Sequence, residues 1–135
     1  MSDDTQDGIL DLWPTKIMRR RLPDFEDPTQ ALVKLIRDLE RMNRNLTTDY
    51  LAPDFFNMDE PAVGWLRDQI NATVIDYMRA IGIDYDVRWS IQGWPNVNRL
   101  GDYHDPHNHP RAYLSGTYYL KVPTGKEPMR NRADV

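Results

Sequence analysis

Tyr85-Asp86-Val87-Arg88-Trp89-Ser90-Ile91-Gln92 is the stretch on which the fold class turns. Tyr85, Val87, Trp89 and Ile91 alternate with Asp86, Arg88, Ser90 and Gln92. Successive side chains of an extended chain point to opposite faces, so this period of two predicts a strand with one buried face. Upstream the period is different. Leu32, Leu35, Ile36, Leu39, Met42 and Leu46 recur at helical spacing, with Lys34, Arg37, Asp38, Arg41 and Arg44 on the other face. Asp27 as cap, Pro28 in the first turn and Gln30 as the capping-box partner start this helix, which ends near Asn45. Residues 47–58 read as a loop with Phe55 and Phe56 as aromatic anchors. A second helix starts near Asp59 with Glu60 and Pro61 in its first turn. Its buried stripe is Leu66, Ile70, Val74, Tyr77 and Ile81, widened by Trp65 and Met78, and Gly82 stops it.

Downstream, residues 112–122 predict another strand. Leu114, Leu120 and Val122 lie on one face and Tyr113, Ser115, Thr117 and Tyr119 on the other. Residues 9–18 are apolar but contain Pro14, which cannot donate to a ladder, so they read as an edge strand or a broken pair. Helices first and strands later predict an α+β fold, with Leu35, Leu39, Ile70 and Val74 buried against the sheet. The chain, residues 1–135, is expected to be a single domain with a flexible tail at 1–8 and an irregular tail at 124–135.

Composition narrows the function classes. With 28% charged and 40% hydrophobic residues the chain is globular rather than disordered. It has no cysteine, which excludes disulfides, thiolate metal sites and a cysteine nucleophile. No apolar run reaches the roughly 18 residues that a membrane span needs, and the acidic start is no signal peptide. The expectation is a cytoplasmic protein with no membrane partner. A net charge of −4 argues against nucleic acid as a partner, and Arg19-Arg20-Arg21 reads as a solvated strand end.

The chemistry concentrates in one place. All three histidines, His104, His107 and His109, fall within six residues, in a turn-rich segment between the two expected strands. Residues two apart in extended chain share a side, so His107 and His109 can aim at one metal. Imidazole suits iron, zinc, copper and nickel. The alternative is a polar loop with surface histidines. The cupin pattern of a glycine, five residues and His-x-His fits Gly101, His107 and His109, but Tyr113 and Leu114 stand where its glutamate belongs.

Trp94-Pro95-Asn96-Val97-Asn98, Gly101-Asp102-Tyr103, His107-Asn108-His109-Pro110 and Leu114-Ser115-Gly116-Thr117-Tyr118-Tyr119-Leu120 together resemble the 2-oxoglutarate/Fe(II) oxygenase family of bacteria and phages. Leu12-Trp13-Pro14-Thr15 also resembles the start of that family, so the likeness covers most of residues 9–123. It implies a partial double-stranded β-helix (jelly roll) with the two N-terminal helices packed on the sheet. It implies that His107 and His109 bind Fe(II), with 2-oxoglutarate as a small-molecule co-substrate and hydroxylation as the reaction. Asn96 and Asn98 lie where related oxygenases hold 2-oxoglutarate; turn-making is their other reading. His104 and Asp105 match no fixed metal position.

The family's third ligand and its co-substrate arginine are expected beyond Val135, because no histidine follows His109 and Arg130 and Arg132 sit outside any strand pattern. A chain cut short in this way is expected to be inactive alone and to expose a sheet edge, through which a homo-oligomer would form. Two alternatives stay open. One is a cupin-like or zinc-binding metalloprotein; the other is a non-enzymatic structural or interaction protein of a phage or bacterium. The substrate is not legible.

Overall fold

A computed structural model describes residues 15–47 and 54–122. The tails expected at 1–8 and 124–135, and residues 9–14 of the first apolar stretch, lie outside the described residues. Helix α1 is Glu26–Met42. Glu26 and Asp27 sit in its first turn and Arg41 in its last, which suits the helix dipole at both ends. The expected capping box is not used. Phe25 takes the cap position with no side-chain bond, after Asp24 at φ 46°, and the Arg21 guanidinium stacks 5.0 Å over the Phe25 ring.

A short 3-10 turn, Phe55–Asn57, is capped by Asp54, whose carboxylate accepts the Phe56 N–H. Helix α2, Pro61–Ala80, has Pro61 at its first position, where a missing N–H costs nothing. Its end is a Schellman motif. Gly82 at φ 87° gives its N–H to Arg79 O and Ile83 gives its N–H to Met78 O.

The core lies between the helices and under the turn. Leu32 and Ile36 of α1 meet Val63 and Leu66 of α2, with Phe55, Phe56 and Leu46 closing the sides. Leu32 and Val63 are fully buried. Leu35, Leu39 and Ile70 pack around this cluster half-buried, joined by Ile91, Val97, Tyr118 and Leu120 from the chain that follows α2. Among the described residues no helix is long and apolar enough to cross a membrane.

The expected α+β fold with a partial jelly roll is overturned. The described residues form two α-helices and one 3-10 turn, and contain no strand. The helix stripes pack on each other rather than on a sheet. The reason lies in what a period of two specifies. It tells which side chains share a face, but a ladder also needs a partner backbone. Here side chains supply part of that partnership. Gly93 N–H donates to Asp54 Oδ1 at 3.2 Å while Gly93 O accepts from Phe55 N–H at 3.3 Å. Val97 N–H donates to the Thr47 hydroxyl at 3.0 Å, and that hydroxyl lies 3.4 Å from Val97 O.

The alternation also fails as a burial pattern. Tyr85 is 69% exposed and Trp89 42% exposed, the latter held by its indole N–H donating to Asn71 Oδ1 at 3.0 Å. Farther along, Leu114 and Val122 are exposed although Leu120 packs on the core. With no sheet among the described residues, the sheet edge expected to support a homo-oligomer is absent there too.

Candidate functional site

The histidines sit on a loop that leaves the core at Val97. A turn over residues 99–102 comes first, closed by Asp102 N–H to Arg99 O at 3.0 Å. Gly101, at φ 89°, occupies the third position, where a type II turn requires a left-handed backbone. Asp102 returns a second bond: its Oδ2 accepts the Arg99 N–H at 2.7 Å. The Arg99 guanidinium reaches Glu40 of α1, 2.6 Å away. The turn reverses the chain so that Asn98 Oδ1 lies 3.2 Å from His104 Nε2.

Beyond it the three imidazoles form a row. Ring centroids of His104 and His107 are 6.5 Å apart and those of His107 and His109 are 5.0 Å apart, the latter pair edge to face at 82°. His109 is half-buried, with Trp94 at 5.9 Å, whereas His104 and His107 are exposed. A further turn closes the loop, with Ala112 N–H donating to His109 O at 2.9 Å.

One hydrogen bond fixes a tautomer. His107 Nδ1 lies 2.8 Å from Asp105 O, and a carbonyl only accepts, so Nδ1 carries a proton and, in the neutral ring, the lone pair is on Nε2. That is the second bond expected of an imidazole that ligates a metal. The separation of the rings also fits. With metal–nitrogen bonds of about 2.1 Å and an imidazole radius of about 1.1 Å, two neighbouring ligands on one metal have centroids roughly 4.6–5.3 Å apart. His107 and His109 fall in that range. His104, at 6.5 Å from His107, falls outside it and is engaged with Asn98. Among the described residues, no three histidine, aspartate or glutamate side chains gather as a metal site.

The other residues singled out by sequence are spread out. Asn96 and Asn98 are exposed on either side of Val97, which packs on the core, and Asn98 is bonded to His104. Trp94 stands at the histidines, but Tyr118 is docked on the helices, with its hydroxyl 2.9 Å from Thr29 Oγ1 and its ring 6.2 Å from that of Trp65. Tyr113 and Tyr119 are exposed. An open cleft of 290 Å³ bounded by Phe56, Arg67, Asn71 and Trp89 includes no histidine. Sequence reasoning passed over Glu40 and Arg99, whose pairing across 59 residues leaves no periodic signal.

The family described as Putative 2OG-Fe(II) oxygenase matches residues 92–134. The matched stretch supports the resemblance read from the sequence; it takes in Trp94, the three histidines and residues 114–120, and leaves both helices outside. No curated protein and no solved structure matches the chain.

Proposed function

We propose that the loop carrying His107 and His109 supplies two imidazole ligands to the Fe(II) of a 2-oxoglutarate-dependent oxygenase. The observation that carries this reading is the coincidence of the family match with a histidine pair spaced as neighbouring ligands on one metal. Fe(II) with 2-oxoglutarate supplies oxidation of unactivated C–H bonds by oxygen. The chain's own residues hold and orient. The Asp105 carbonyl keeps the His107 proton on Nδ1, which leaves Nε2 as the nitrogen to donate to a metal. Trp94 flanks His109, with the two ring centroids 5.9 Å apart. Asn96 and Asn98, on the outer side of the chain from Val97, are the polar groups proposed to contact the co-substrate; for Asn98 this requires release from His104.

The test is anaerobic titration with Fe(II) and 2-oxoglutarate, followed by visible absorbance. The expected result is a weak charge-transfer band that His107→Ala and His109→Ala abolish and His104→Ala largely retains. Tight zinc binding without that band would favour a zinc metalloprotein. Binding of neither metal would overturn the reading.

A further inference from the structure

The histidine pair stands on a loop, and something must hold that loop in register with the rest of the molecule. Its base is one four-residue turn closed by two bonds, Asp102 N–H to Arg99 O and the Asp102 carboxylate on the Arg99 N–H. Gly101 permits the turn. On one side of the turn, Val97 is clasped by Thr47 and packs on the core. On the other side, His104 is fastened back to Asn98. The guanidinium of Arg99, at the corner, lies against Glu40 in the last turns of α1. The Glu40 side chain is 23% exposed, so this carboxylate is screened less than one standing in open solvent.

We propose that Glu40 is a positioning residue for the histidine pair, acting through Arg99 and the turn over residues 99–102. Helix α1, which lies outside the family match, thereby sets where His107 and His109 stand. The inference deepens the metal reading above and rests on it for its functional consequence. Its structural content, that Glu40 orders the pair, stands or falls separately.

The experiment uses the full chain. Metal affinity is measured with Co(II) as the spectroscopic probe, and ring-to-ring nuclear Overhauser contacts between His107 and His109 are measured without metal. Glu40→Gln and Arg99→Gln should each weaken Co(II) binding about two- to fivefold, the scale of a partly exposed ion pair. Each should weaken the His107–His109 contacts while the Trp65–Tyr118 contacts and the melting temperature hold within about 2 °C. The double variant Glu40→Arg with Arg99→Glu should restore both. Unchanged ring contacts in Glu40→Gln, or a double variant no better than the single ones, would overturn the proposal. If the wild-type chain binds no Co(II), the metal reading fails, and the ring contacts alone decide whether Glu40 positions the loop.

Discussion

The helical region and the segment that follows it solve the same problem in opposite ways. In α1 and α2 the interior backbone groups find their partners within the element, so the sequence is free to devote one stripe to packing, and Leu32 and Val63 vanish from solvent. In residues 84–122 the backbone–backbone bonds described within the segment are those of two turns, Asp102 N–H to Arg99 O and Ala112 N–H to His109 O. That segment is held at points, by Asp54 on Gly93, Thr47 on Val97, Glu40 on Arg99 and Thr29 on Tyr118, and away from those points Tyr85, Trp89, Tyr103, Tyr113 and Tyr119 stand exposed. Stability thus concentrates in the helices, and the groups with chemistry to offer concentrate in the segment they hold.

The division can be broken hardest at the core. Leu32→Ala should cost about 2–5 kcal/mol, because it empties a fully enclosed site between the two helices. Urea unfolding would measure it, and a loss below about 1 kcal/mol would mean that the helix pair is not the stable unit. The seam comes next. A Cβ at Gly93 would run into the Phe56 ring, so Gly93→Ala should cost about 1–3 kcal/mol by forcing that buried ring aside. An unchanged denaturation midpoint would show that the segment lifts off freely.

A third change separates chemistry from stability. His107→Ala should weaken metal binding about tenfold or more and leave the melting temperature within about 2 °C of wild type. Calorimetric titration and thermal melting on one sample would test both halves. The smallest effect is expected at Tyr118→Phe, which keeps the ring beside Trp65 but drops the hydroxyl paired with Thr29, for about 0.5–1.5 kcal/mol. Tyr119→Phe, on an exposed neighbour, is the control and should lie within about 0.5 kcal/mol of wild type.

The two regions also differed in how far they could be read in advance. The helices were legible because their signals are local. Pro61 opens α2 and Gly82 closes it, as their backbone preferences require, and α1 runs to Met42 where the apolar spacing ended it near Asn45. The start of α1 was placed two residues late, since Phe25 rather than Asp27 occupies the cap position. The strands were misread because alternation is local and pairing is not. Tyr85 and Trp89 carry the period of a buried face, yet nothing nearby in sequence states whether another strand lies alongside. Of the site, the nearness of His107 and His109 was visible in their spacing. The link from Asn98 to His104 and the reach of Glu40 to Arg99 depend on a turn and a helix end meeting in space, and single residues give no notice of that.

The clasps at Gly93 and Val97 carry a consequence for chain length. Asp54 grips one and Thr47 the other, both from the connection between the two helices. The interval from 93 to 97 is therefore measured out against a fixed ruler, and a residue inserted there would pull one clasp open. Between Ile83 and Trp89 no such ruler is engaged by the bonds described, and Asp84, Tyr85 and Asp86 are all exposed. Length variation, whether by engineering or by drift, should accumulate in that second interval and stop short of the first.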